Sequence, residues 1–377
     1  MKRTVYHSIL SAVICLAILS VSAGASAPSA GPDNDYIVSG AIGVAAKYDS
    51  NLNLIRKTSA NDLAADFINE VLGRLSVKRG IGNRAWLETR LAGLANWHVE
   101  NTEKNWFFGR IGLSLGYPFG KSDLGFSNEL RNYTIPKEDD VGFLRNTAIL
   151  TYRRTLSPRW QWHMGYENIA TFYPENTPFN YIVNGAFLEV RNTRSVDFST
   201  YYAYDFQFYQ GSYDAELDDP TGSPEEGFRH TFKLGFDWVF DRNVLNVSYL
   251  FQMDNSSGEG LNLNGGFEGN EESLDVDAEF DFVKHKATLL YSRRLSGKLT
   301  LSSYGEFILK DLSDRHSPAL GLHDRNDTLF LSSTYLKYKL KTDWLLKVRY
   351  LLRIRQSSID SEDYQDHLLF FGTEYRF

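Results

Sequence analysis

The feature that most constrains this chain is an apolar/polar alternation with a period of two. It is sustained for about 10–14 residues at a time, and the runs are joined by connections that are alternately short and long. In the run 36–48, Tyr36, Val38, Ile42, Val44, Ala46 and Tyr48 share one parity, while Ser39, Ala41, Gly43, Ala45 and Lys47 share the other. A helix would instead gather its apolar residues three and four apart, so each run reads as a strand with two unlike faces. The same pattern recurs at 67–78 and 85–97 and onward to the last residue. Short joints fall at 79–83, 118–122, 157–159, 192–195, 241–243, 296–298 and 341–343. The long links lie between them, at 49–63, 99–105, 134–141, 174–180, 210–227, 254–278, 311–326 and 357–365. Short turns at one rim and long loops at the other predict a single all-β transmembrane antiparallel barrel. It has about sixteen strands, periplasmic short turns and extracellular long loops.

Aromatic spacing supports the same architecture. Tyr36 and Tyr48, Trp160 and Phe172, and Phe228 and Phe240 bracket three runs on one parity. Twelve residues at about 3.3 Å rise, tilted by about 40°, project to roughly 30 Å, close to an apolar band with its two aromatic girdles. Two places blur the register. The apolar parity switches between Phe280/Phe282 and Ala287/Leu289/Tyr291, which predicts a bulge near 284–286, and the run 328–340 is apolar on both parities.

The final stretch, Asp366 to Phe377, puts Phe377, Tyr375, Phe371 and Leu369 on one face and ends on the aromatic itself. An ending of the form x-Tyr-x-Phe resembles the C-terminal signal of bacterial outer-membrane β-barrels. The resemblance covers about ten residues and implies that Phe377, Tyr375, Phe371 and Leu369 are read by the barrel assembly machinery. The opposite end fits an exported protein. Met1-Lys2-Arg3 is basic, 9–21 is an apolar run too short to span a bilayer, and Ala23-Gly24-Ala25 is a small-residue cleavage site. The expected division is a signal peptide at 1–25, a short periplasmic segment at 26–35 and the barrel at 36–377. Cys15, the one cysteine, lies in the apolar run, so a disulfide framework in the mature chain is excluded.

Composition excludes other classes. A mean hydropathy of -0.35 and no mature apolar run of about 18 residues exclude a helical membrane protein. The 22 Tyr, 25 Phe and 7 Trp are nonetheless many for so polar a chain. A formal charge of -7 is no footprint for nucleic acid. No zinc, P-loop or complete EF-hand pattern is present, so neither cofactor nor metal is expected. The histidines (His98, His163, His230, His285, His316, His323 and His367) are scattered outside any nucleophile motif, and the chain reads as non-enzymatic. Acidic loops, with Asp214, Glu216, Asp218 and Asp219 in one and Glu268, Glu271, Glu272, Asp275 and Asp277 in another, read as solvated surface.

Charge on the inward parity carries the functional reading. Arg74, Arg90, Arg110, Arg131, Arg145, Arg153, Lys347, Arg349, Arg353 and Arg355 share it with Glu88, Glu129, Glu167, Asp197, Asp205, Glu306 and Glu374. Each charge on the lipid side would cost about 2–4 kcal/mol at the midplane, so these are expected to face the lumen. Four cations on 344–356, countered on the next strand only by Glu374 and Asp366, predict a lumen that favours anionic solutes. The expected function is a porin-like channel in the outer membrane for small hydrophilic solutes, with outer-membrane lipid as its solvent. The chain resembles general porins in strand number and C-terminal signal. It differs in that its third long link is short and its sixth is longest. The alternative is an export or assembly barrel, or a structural sheath, working with a separate periplasmic partner protein. The stretch Tyr48-Asp49-Ser50-Asn51-Leu52-Asn53 resembles the first hairpin of the barrel in surface lipoprotein assembly modulators.

Overall fold

The computed structural model describes residues 36–50, 65–82, 84–135, 142–174, 180–211, 226–256, 282–312, 325–358 and 363–377. The expected signal peptide, the segment 26–35, the acidic loop residues named above, His316 and His323 lie outside them.

Every long alternating run is a strand. They are β1 (Tyr36–Asp49), β2 (Asp66–Ile81), β3 (Ala85–His98), β4 (Trp106–Phe119), β5 (Ser122–Thr134) and β6 (Phe143–Thr155). Next come β7 (Trp160–Phe172), β8 (Tyr181–Ser195), β9 (Phe198–Gly211), β10 (Glu226–Phe240) and β11 (Asn243–Ser256). The chain ends with β12 (Val283–Arg294), β13 (Leu299–Leu312), β14 (Arg325–Lys339), β15 (Trp344–Ser357) and β16 (Tyr364–Arg376). Each strand pairs antiparallel with its sequence neighbours, and β1 pairs with β16, so all sixteen form one closed barrel. Closure leaves no unpaired edge, which a lipid environment requires because it offers backbone groups no other partner.

The seam is made by the two ends of the barrel sequence. β1 and β16 run in register from Ala41↔Arg376 to Asp49↔Leu368. Beyond the last strand, Gly40 and Phe377 exchange backbone hydrogen bonds of 2.9 and 3.1 Å. A Cβ on Gly40 would lie 2.3 Å from the Phe377 ring and 2.8 Å from the Arg74 carbonyl oxygen. Glycine there lets the terminal aromatic lie flat over β1.

Cross-strand register carries one parity around the whole wall. Val44, Tyr48, Phe67, Ile111, Tyr166, Phe232, Phe307 and Phe371 are exposed on the outside, and the charged parity faces in. Outward polar groups satisfy one another. Asn128 Nδ2 donates to Asn146 Oδ1 at 2.9 Å, and Asn168 Nδ2 donates to Asn184 Oδ1 at 2.9 Å.

Two details differ from the sequence expectation, and a third assigns the faces of the run that is apolar on both parities. β12 keeps an unbroken register from Val283 onward. No bulge is needed because Phe282 turns inward and is buried beneath Lys284 and Lys310, whose ammonium groups lie 5.4 and 4.2 Å from its ring. The register shift lies instead in β8, between Thr193 and Ser195, and the β8–β9 turn follows at 196–197 rather than at 192–195. Asp197 therefore lies in a rim turn and not on the lumen wall. On β14, Phe330 and Tyr338 point outward, while Leu329 and Leu331 join a buried inward cluster with Ile308, Leu351, Tyr364 and Leu368.

Candidate functional site

The lumen divides by height. Toward the long-loop rim its polar lining is buried. Lys47 meets Glu70 at 2.6 Å. Arg229 Nε donates to Asp254 Oδ2 at 2.8 Å, and the Tyr209 hydroxyl donates to Asp254 Oδ1 at 2.9 Å. Lys286 meets Glu306 at 3.1 Å, and Arg145 donates to Thr171 Oγ1 at 3.0 Å and to the Tyr181 hydroxyl at 2.7 Å. Alongside runs an aromatic band in which Trp106 and Tyr133, Tyr133 and Phe143, and Phe143 and Tyr173 lie 5.7, 5.5 and 6.0 Å apart. Asp66, at the head of β2, accepts the backbone N–H groups of Glu100 and Asn101 at 3.0 and 2.9 Å. That carboxylate ties down the 99–105 link and its single 3₁₀ turn, Thr102–Lys104. Buried ionic groups of this kind are tolerated only when partners replace their lost water, and here the partners come from neighbouring strands at the same height.

Toward the short-turn rim the lining opens. At mid-strand the Arg74 side chain is 48% exposed although it reaches Glu374 at 3.2 Å, and exposure extends into the long-loop half at Arg110, which is 43% exposed with Glu129 at 3.9 Å. Arg90 is exposed and donates to Ser114 at 2.6 Å. Arg153 is exposed, with Asp123 and His163 as its cross-strand neighbours. Ser76 donates to Glu88 at 2.6 Å. In the other half Arg131 donates to Glu129 at 2.5 Å and Gln207 to Glu167 at 2.7 Å. A cavity of about 450 Å³ opens on the β12–β15 side, lined by Ser292, Ser302, Ser333, Tyr335, Lys337 and Lys347 among others. Lys78 over Trp86 and Lys233 over Tyr201, at 4.3 and 5.7 Å, are inward cations that the sequence reading did not single out. Their parity was the available signal.

The four-cation ladder of β15 faces inward and is paired along its length, with more carboxylates than the two expected on β16. Lys347 meets Glu374 at 2.6 Å and Arg353 meets Asp366 at 2.5 Å. Asp49, from β1 across the seam, lies 3.4 Å from Arg353, and Asp327 from β14 lies 2.6 Å from Arg355. Arg349 donates to the Ser333 hydroxyl at 2.8 Å. The two unforeseen carboxylates come from strands that only closure and pairing bring beside β15. Each of the four cations thus has a polar partner on a neighbouring strand, and for Lys347, Arg353 and Arg355 it is a carboxylate.

The histidines do not converge. His98 lies 3.4 Å from Asp66, His163 packs edge-on to Phe187 at 5.2 Å, and His230, His285 and His367 are on the outside. Among the described residues no group of His, Cys, Asp and Glu is placed to hold a metal ion. At the other signal, Tyr375 packs on Trp344 at 5.2 Å, and Leu369 and Phe371 are exposed on the outer face.

A closed sixteen-strand barrel with an apolar outside and a charged inside decides the class, and the comparisons agree. No family model and no curated protein matches the chain. Among solved structures it is similar to OccAB1 of Acinetobacter baumannii (TM-score 0.53, 8% identity, 90% of this chain and 97% of that one). It is also similar to outer-membrane expressed OmpT of Vibrio cholerae (TM-score 0.51, 9% identity, 92% and 99%). CdiB from Acinetobacter baumannii matches with a TM-score of 0.51 and 11% identity, over 90% of this chain and 60% of that one. The chain is an outer-membrane β-barrel protein. At such identities the likeness speaks for the fold alone. The barrel crosses the bacterial outer membrane with its strands, its apolar parity against lipid.

Proposed function

We propose that this outer-membrane barrel is a passive channel for small hydrophilic solutes. The observation that carries the reading is the solvent-exposed charged lining, where Arg90 and Arg153 near the short-turn rim, Arg74 at mid-strand and Arg110 in the long-loop half project into a lumen of sixteen-strand girth. Barrels of sixteen strands have room for a water channel, and hydrated fixed charges select what passes. The cationic residues expected to line the pore then split in two. Arg90, Arg110 and Arg153 act on the solute, while Lys347, Arg349, Arg353 and Arg355 hold the wall. Residues 1–25 direct export and are removed, and the Phe377 ending is presented to the assembly machinery.

A second reading is an export or assembly barrel that works with a separate periplasmic partner protein. It is favoured by the burial of the lumen lining near the long-loop rim, from Lys47 and Asp49 round to Asp327 and Asp366. Liposome swelling separates the two. Proteoliposomes of the purified barrel should swell in sugars and amino acids of a few hundred daltons and not in larger oligosaccharides. No swelling in any solute would favour the partner-dependent reading.

A further inference from the structure

The outer face carries the same three-residue device twice, and most of it a third time. In the β9–β10 hairpin, His230 lies directly opposite Phe206, and Tyr204, two residues nearer the short-turn rim, places its hydroxyl 2.9 Å from His230 Nδ1. In β11–β12, His285 is opposite Phe251 and the Tyr249 hydroxyl is 2.6 Å from its Nδ1. In β15–β16, His367 is opposite Leu352 and the Tyr350 hydroxyl is 2.7 Å from its Nδ1. The ring geometry repeats with the register. His230 and Phe206 stand 5.1 Å apart at 48°, and His285 and Phe251 stand 5.1 Å apart at 47°.

Two features of placement mark these imidazoles as more than girdle filling. His230 lies ten residues from Phe240, and His367 ten from Phe377, both aromatics at the short-turn rim. Ten residues at about 3.3 Å, tilted by about 40°, amount to roughly 25 Å, so the histidines lie at the outer boundary of the apolar band. Among the described strand residues, no Lys or Arg takes the outward parity in that outer half. At the opposite rim, Arg79, Arg154 and Arg293 do take it. Among the described strand residues, the imidazoles are thus the groups on that belt able to carry positive charge toward an anion.

The tyrosine also sets which imidazole nitrogen is free. In an apolar band the phenol O–H needs an acceptor, and Nδ1 supplies it, which leaves the proton on Nε2. If the ring is doubly protonated, Nε2 still bears one. For His230 and His285 the Nε2 atoms make no other hydrogen bond among the described residues, whereas His367 Nε2 accepts from the Gln365 side-chain amide at 3.1 Å, so that ring carries its proton on Nδ1 and offers no Nε2–H. We propose that His230 and His285 bind the phosphate groups of outer-leaflet glycolipids through Nε2–H, with Tyr204 and Tyr249 as positioning residues.

The test is binding to the purified full-length barrel in detergent, read by native mass spectrometry. The probes are diphosphoryl lipid A, its fully dephosphorylated counterpart, and inorganic phosphate. Wild type should bind the phosphorylated lipid at least about tenfold more tightly than the dephosphorylated one, because hydrogen bonds to charged groups are the strong ones. Inorganic phosphate should not compete at equal concentration. The H230F/H285F variant keeps both rings in the girdle but not their nitrogens, and its preference should vanish. The Y204F/Y249F variant should show a reduced preference. Equal binding of both lipids by wild type, full competition by inorganic phosphate, or an unchanged preference in the double His→Phe variant overturns the proposal. If the double variant fails to fold, each single His→Phe variant should lose part of the preference. Both retaining it in full is the overturning result.

Discussion

The two ends of this lumen are built from the same residue types and do opposite things. Near the long-loop rim, Arg229, Asp254, Lys284, Lys310, Asp327 and Asp366 are all buried. Nearer the short-turn rim, Arg90, Arg153 and Lys233 are exposed. Inward charge therefore does not by itself mean pore lining. What separates the two sets is the supply of partners at a given height. Where carboxylates from adjacent strands meet the cations, as Asp254 meets Arg229, the charges cross-link the wall. Where they are spaced apart, the charges remain hydrated and available to a solute.

The comparison can be broken by substitution. The largest effect is expected at the periplasmic end, where deleting Phe377 removes both the terminal aromatic and its two backbone bonds to Gly40. Membrane-assembled, heat-modifiable barrel should fall to near zero on gels of outer-membrane fractions, and wild-type levels of the truncation would argue against the assembly role. Gly40→Val should act in the same direction more weakly, by pushing the Phe377 ring off the seam.

Next in size is Asp254→Ala. Its removal takes away the carboxylate that faces the buried Arg229 guanidinium and should cost about 3–5 kcal/mol, measured by urea unfolding in detergent. Arg74→Ala, in the exposed lining, should cost about 1 kcal/mol or less, because its ion pair is screened by water. Equal losses from the two would erase the distinction between the two sets. For the barrel's orientation, cysteines at Ser223 and Asn264 should be labelled from outside intact cells and one at Asn243 should not. Labelling in the reverse pattern would invert the two rims.

Much of this was legible from alternation alone, because strands of 12 to 16 residues with one lipid-facing parity leave few ways to misread the faces. The sixteen strands, their closure and the inward placement of residues such as Arg110 and Lys347 follow from it. The errors arose where the lumen supplies its own apolar environment. Phe282, Leu329 and Leu331 are apolar and face inward, which a rule equating apolar with lipid-facing cannot accommodate. The ladder's extra partners were hidden for a different reason. Asp49 lies at the far end of the sequence from Arg353, and only the β1–β16 seam makes them neighbours. No spacing within one strand reveals a partner contributed by closure. The outward Tyr–His pairs were equally hidden, since each needs a diagonal across two strands in known register.

In the proposed open pore the exposed lumen cations Arg90, Arg110 and Arg153, and not the β15 ladder, set the field. The most direct test is the single-channel reversal potential under a salt gradient. It would be measured for wild type, for Arg90, Arg110 and Arg153 all changed to Gln, and for Lys347, Arg349, Arg353 and Arg355 all changed to Gln. The account predicts steady channels in wild type, a clear shift toward cation preference in the first variant, and a smaller shift in the second. A larger shift from the ladder than from the exposed arginines, or no conductance from correctly folded wild type, would contradict it.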